Sequence, residues 1–225
     1  MEQMRTLSVF CVSKKGDEST LIPKKVKGIS LKDYLHNREL EYSLVISWLK
    51  EIANIMEVYY VYYGNKPYGL INPSQIIVDK AGHIYLPYGN SSINLYGDNS
   101  IFYPPKGWIS QCDNAQIDIF SFGKLIQYIM KFGKLKSKIF IGNERVLLDL
   151  VKRSLAPLEK RAIREFDEIQ KKLKRLKGKI NNKSKKALIV AASLVVMMGI
   201  GEFAIEKVDI SRGDKEIVLE LNLRG

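Results

Sequence analysis

The sequence predicts an α+β chain with a reduced β-hairpin at its start, a mainly helical body and one transmembrane helix near its end. Three observations predict it. Two β-rich runs, 6–12 and 20–26, flank the turn-forming stretch Lys14-Lys15-Gly16-Asp17-Glu18-Ser19. Val45, Leu49, Ile52, Met56, Tyr59 and Tyr63 recur at spacings of four and three, the apolar stripe of a long amphipathic helix. From Ala187 to Gly201 the chain reads ALIVAASLVVMMGIG, fifteen residues without a charge.

Each element follows in order. After the hairpin, Ser30 is placed to cap a short helix beginning at Leu31. The striped helix spans about 41–63, until Gly64 and Pro67 break it, and Asn72-Pro73 opens a turn. Residues 75–78 and 83–86 read as short strands joined by Asp79-Lys80-Ala81-Gly82. An irregular stretch rich in Gly, Asn, Ser and Pro runs to about Cys112. Helices are then expected over 117–132, 146–155 and 164–176. No internal repeat is visible. The segments resolve into a hairpin region 1–29, a body 30–176, a basic linker 177–186, a span 187–205 and a short tail 206–225.

Composition narrows the class. With 46% hydrophobic and 27% charged residues in 225, the chain is globular and has room for one domain plus appendages. Cys11 and Cys112 are far apart, and His36 and His83 are isolated. Neither a zinc site nor a disulfide framework is expected, and no cofactor is implied. Both cysteines precede the apolar segment, which suits a reducing cytoplasm. The polar opening from Met1 to Leu7 has no signal-peptide pattern.

Charge is concentrated. Of the net +12, the stretch from Lys131 to Lys186 carries 19 Lys and Arg against 6 Asp and Glu, leaving 17 against 18 elsewhere. Such blocks bind nucleic acid or face anionic lipid. The segment that follows favours lipid. Nineteen helical residues, Ala187 to Ile205, cover about 28 Å of a hydrocarbon core of about 30 Å. Directly before them, Lys171 to Lys186 holds nine Lys and Arg and no acid. That asymmetry favours a single span over a buried core helix and predicts a cytoplasmic N-terminal bulk. The basic stretch is expected to hold anionic headgroups, and no nucleic-acid partner is expected. Glu202 sits near the outer end, either closing the span or meeting a partner helix. Within the tail, IVLELNL alternates like one strand and could add to another protein's sheet edge.

The order of elements carries a resemblance. Tyr68-Gly69-Leu70-Ile71-Asn72-Pro73-Ser74-Gln75 is similar to the catalytic loop of protein kinases, which begins His-Arg-Asp and continues Lys-Pro-x-Asn. Pro87-Tyr88-Gly89 stands where that family has Asp-Phe-Gly. Tyr103-Pro104-Pro105-Lys106 is similar to its Ala-Pro-Glu segment. Asp118-Ile119-Phe120-Ser121-Phe122-Gly123 matches its Asp-x-x-Ser-x-Gly helix. Leu150 to Leu155, with Lys160-Arg161, resembles its final helices. From Ser30 to Leu176 the chain therefore resembles the helical lobe of a protein kinase, after a reduced β lobe.

The departures shape the functional expectation. Where the family places its catalytic aspartate stands Leu70, and its catalytic-loop lysine is Asn72. Its metal-holding asparagine and aspartate are Gln75 and Pro87. Phosphoryl transfer rests on positioning and charge neutralisation, so these losses remove the mechanism. No Gly-x-Gly-x-x-Gly precedes the first strand, and Lys14 reads as a surface hairpin lysine. The resemblance implies a catalytically inactive pseudokinase, anchored in a membrane and acting as a scaffold or docking module. The alternative is a divergent kinase or a nucleotide-binding sensor. The architecture is similar to the pseudokinase component of bacterial type VII secretion. Asp118, Gly123 and Arg161 are expected in structural roles, Arg161 as an ion-pair partner. Tyr62, Tyr63, Tyr68, Tyr88 and Tyr103 are expected as exposed aromatics lining the former substrate cleft, with Tyr68, Tyr88 and Tyr103 as partner-binding residues.

Overall fold

The hairpin is closed by Gly16, whose φ of 63° lies in the left-handed region that a side chain disfavours. It joins β1 (Arg5–Lys15) to β2 (Glu18–Ser30) in the computed structural model, with pairs running from Lys15↔Glu18 to Arg5↔Gly28. The structure describes residues 4–16, 18–64, 66–88, 100–136 and 141–176. The expected linker, span and tail over 177–225 lie outside them. Among the described residues, no helix is long and apolar enough to cross a membrane.

Both strands outrun the apolar stretches that announced them. The turn locks the register, and the backbone ladder then continues through exposed Lys24, Lys25 and Lys27. Beyond the hairpin, β2 pairs with β4 (Ile77–Asp79) through Gly28↔Asp79, Ile29↔Val78 and Ser30↔Ile77. β4 in turn pairs with β5 (Ile84–Tyr85). The chain leaving β5 then returns to the first strand. Phe10 donates its amide to the Leu86 carbonyl at 2.8 Å, and Tyr88 donates to Ser8 at 2.8 Å. Four strands thus close into a small ring. At Gly28 a β-carbon would collide with the Val78 carbonyl and the Ile77 side chain, so the β2–β4 approach requires glycine. The boundary expected at residue 29 falls inside β2, and hairpin and body belong to one compact unit, Met1–Gly178.

The body is helical. α1 (Leu31–Asn37) is capped by Ser30, whose hydroxyl accepts the Asp33 amide at 3.1 Å. After β3 (Glu39–Leu40) comes the central α2 (Tyr42–Tyr63). Its stripe Val45, Leu49, Ile52, Met56 and Tyr59 is buried, and so are Ile46, Trp48, Ala53, Ile55 and Val58. A helix apolar on most of its circumference belongs inside the domain. Trp48 fixes it to the β4–β5 turn by donating to the Gly82 carbonyl at 2.7 Å.

A 3₁₀ turn, Ser100–Phe102, and the short α3 (Lys106–Ile109) fall in the stretch read as irregular. α4 (Asn114–Phe132) starts three residues ahead of the apolar pattern, because Asp113 and Gln116 form a capping box. β6 (Lys134–Leu135) runs parallel to β3, followed by α5 (Ile141–Ser154) and α6 (Phe166–Lys174). α6 lies on α2 through Phe166, Ile169 and Leu173, all buried, while α5 packs on α4. The described fold is α+β, with a small antiparallel sheet beside a helical core.

Candidate functional site

The polar centre of the domain is Asp118, fully buried on α4. Its carboxylate reaches across to the loop after α2. Oδ1 accepts the Gly69 amide at 2.8 Å, and Oδ2 accepts the Tyr68 amide at 2.6 Å. Oδ2 also accepts the Tyr60 hydroxyl, which lies 2.8 Å from the Asn114 carbonyl. Burial raises the Asp118 carboxyl to about 6, and the three donors pull the other way. Burial and the Asp118 charge together push the Tyr60 and Tyr68 phenols well up.

Further bonds fix the same loop. The Tyr103 hydroxyl donates to the Gly69 carbonyl, and the Tyr68 hydroxyl donates to the Pro87 carbonyl at 2.6 Å. Asn72, itself buried, accepts the Ser74 and Gln75 amides on Oδ1 at 3.1 Å each. This side chain therefore shapes the turn of its own loop. Leu70 is buried in the core and Gln75 is exposed. Pro87 forms the bridge opposite Val9. Four sequence-derived positions, Tyr68, Pro87, Tyr103 and Asp118, thus meet in one hydrogen-bonded network.

Two expectations about tyrosines are overturned. Tyr68 and Tyr103 are 5% and 7% exposed, so neither is a surface anchor. Each phenol ends on a backbone carbonyl, and a ring that satisfies its hydroxyl internally can be buried entirely. Tyr62, Tyr63 and Tyr88 are exposed, at 50%, 41% and 45%. The last two gather around buried Phe10 of β1. Its ring centre lies 4.9 Å from Tyr88 and 6.4 Å from Tyr63, with Tyr68 and Tyr59 at 6.0 and 6.1 Å behind. The outcome is an aromatic shelf with a buried base and a two-tyrosine rim.

Gly123 sits where α4 meets the end of α5. A β-carbon there would lie 2.8 Å from the Ser154 β-carbon and 3.2 Å from Leu155, so helix contact demands glycine. Among the described residues, Arg161 does not take the ion-pair role expected of it. Its side chain is exposed and its carbonyl accepts Arg153 Nε at 2.6 Å, while Arg153 pairs with Glu168 at 2.6 Å. Arg153 reaches α6 from within α5, where Arg161 lies in the turn beyond.

Phe10 and Tyr60 escaped sequence reasoning. Phe10 was one apolar residue in a β-rich run, and nothing local says that the hairpin folds onto the body. Tyr60 lies one position off the α2 stripe. Its ring stacks on Phe166 at 5.9 Å, leaving the hydroxyl free to reach Asp118. Its one sequence signal is its place in the tyrosine cluster of Tyr59, Tyr60, Tyr62, Tyr63 and Tyr68.

Among the described residues, no group of three or more His, Cys, Asp or Glu gathers as a metal site would require. The buried carboxylate is committed to two backbone amides and the Tyr60 hydroxyl, and the exposed face beside Phe10 is aromatic. The chain matches no protein-family model, and no curated protein matches it.

Proposed function

We propose that the chain is a membrane-anchored pseudokinase that works as a docking module, holding a protein partner on the aromatic rim of Tyr63 and Tyr88. The observation that carries this reading is the division of labour around Asp118. The carboxylate that in protein kinases ties the catalytic loop together here binds the Tyr68 and Gly69 amides. The positions that would do chemistry hold Leu70, Asn72, Gln75 and Pro87, and nothing at them supplies a base or a metal-binding carboxylate.

The ring of strands supports the same conclusion. β2 is hydrogen-bonded to β4, and β1 to the segment after β5. Paired strands stand about 4.8 Å apart, too close for a nucleotide between hairpin and body. Behind them Phe10, Tyr59 and Tyr68 fill the interior. A partner is held from outside, with Tyr63 and Tyr88 as anchors of the kind that dominate interfaces. The apolar run 187–205 anchors this module, and a secretion or signalling complex in a cytoplasmic membrane is the setting it serves.

Photo-crosslinking tests the reading. A crosslinking residue at Tyr88 or Tyr63 of the full chain in native membranes is expected to trap a discrete protein. Capture only from positions within 187–205 would move the interaction to the helix. Phosphate transfer from Mg-ATP by the purified chain, lost on changing Gln75, would overturn the pseudokinase assignment.

A further inference from the structure

A second surface has no part in this account. Lys14 near the hairpin turn, Lys50 on α2 and Lys174 on α6 line one open depression of about 330 Å³, with Ser47, Asn54 and Gln170 between them. Among the described residues, the only carboxylate in its wall is Glu51. α6 sorts its lysines with care. Lys171 pairs with Asp167 at 2.5 Å and Lys172 with Asp149 at 2.6 Å, whereas Lys174 points into the hollow with no acid bonded to it among the described residues. Gln170 is bound to Glu57, so that carboxylate is occupied as well. Three ammonium groups against one carboxylate give the polar hollow a net positive lining, which suits an anion.

The chain's course says which anion. Lys174 lies two residues before Leu176, the last described position. Ten residues, 177–186, then precede the apolar run. Fully extended they reach at most about 35 Å, and five of them are lysines attracted to the same headgroups. Resting on the membrane-anchored reading, we infer that the Lys14–Lys50–Lys174 hollow is a docking site for anionic lipid headgroups. It sets the domain on the bilayer with the hairpin turn and the α2–α6 face inward. This goes beyond tethering: a linker alone leaves the domain free to rotate, whereas a headgroup in the hollow fixes which face is inward.

The test uses the full chain in nanodiscs of phosphatidylcholine, with or without phosphatidylglycerol, and measures acetylation of each lysine by mass spectrometry. A lysine at an anionic surface is favoured by about fivefold, so labelling of Lys14, Lys50 and Lys174 is expected to slow by about that factor when phosphatidylglycerol is present. Lys25 and Lys80, on the separate basic surface of β2 and the β4–β5 turn, are expected to react equally in both lipids. The double variant K14E/K50E is expected to restore labelling of Lys174. Equal reactivity of the three lysines in both discs, with the chain incorporated, would overturn the docking site and leave the anchor standing. Protection of Lys25 and Lys80 in their place would reverse the orientation. Equal protection by inorganic phosphate in neutral discs would make the ligand a soluble anion and overturn the lipid assignment. A chain that fails to co-elute with discs would overturn the anchor, and the docking site with it.

Discussion

Gly69 donates its amide to Asp118 at 2.8 Å across 49 residues of sequence, the bond by which α4 holds the loop after α2. Its energetics depend on protonation. Unfolded, the Asp118 carboxyl titrates near 3.8, and in the fold it is raised to about 6. Between those values the folded state binds the extra proton. The contribution to stability is therefore full below the lower value and is lost as pH rises through the upper one. The interval corresponds to roughly 3 kcal/mol. Other carboxylates add their own slopes, so the comparison to make is wild type against Asp118→Asn. The difference between their unfolding free energies is expected to change across pH 4–6.5, and parallel profiles would contradict it. Asp118→Ala is expected to be worse throughout, since each amide left without an acceptor costs about 1–3 kcal/mol.

The α4–α5 contact gives a steric test. Gly123→Ala places a methyl 2.8 Å from the Ser154 β-carbon, and overpacking of this kind costs about 1–3 kcal/mol. Adding Ser154→Gly is expected to recover part of that loss, as coupled neighbours do. Denaturant unfolding of the four proteins of the cycle measures it, and strict additivity would show that the helices separate freely.

Tyrosines of the network and of the rim separate cleanly. Tyr88→Asp removes the exposed half of the Phe10–Tyr88 ring pair and is expected to cost about 0.5–1.5 kcal/mol, leaving the domain folded, while reducing partner capture. Tyr103→Asp buries an unpaired carboxylate and is expected to unfold the domain, whereas Tyr103→Phe loses one hydrogen bond, about 1 kcal/mol. Circular dichroism and crosslink yield on the same variants distinguish folding from binding. A Tyr88→Asp chain that captures its partner at full yield would remove the rim from the site.

Nucleotide is expected to leave the protein unmoved. A ligand at a hundred times its dissociation constant adds about 2.7 kcal/mol to stability, readily seen in a melting curve. Millimolar Mg-ATP should produce no shift. A saturable rise would restore the sensor alternative and require a pocket other than the space filled by Phe10, Tyr59 and Tyr68.

What could be read in the sequence was local or periodic. The Ser30 cap, the α2 stripe and the hairpin turn at Gly16 each depend on a few neighbouring residues, and each lies where expected. The buried role of Asp118 was accessible only through resemblance, because nothing in the residues around it names Tyr68 and Gly69 as its partners. Long-range packing remained hidden. Tyr68 and Tyr103 look like surface tyrosines until the carbonyls of Pro87 and Gly69 come within reach of their hydroxyls. The ion pair went to Arg153 because α5 carries it towards Glu168, a matter of helix phase that the motif around Arg161 does not encode.

The ring of strands has a mechanical meaning. A hairpin attached along one edge could swing like a jaw, and a partner gripping the shelf would first have to arrest that swing. Here the hairpin is riveted twice, by β4 on one side and by Leu86 and Tyr88 on the other. Phe10, and with it the floor beneath Tyr63 and Tyr88, is held from both sides. A surface that is already rigid loses little entropy when it is covered. The same closure spends the amides of Phe10 and Tyr88 and the carbonyl of Ser8, so at those positions the β1 ladder is already occupied.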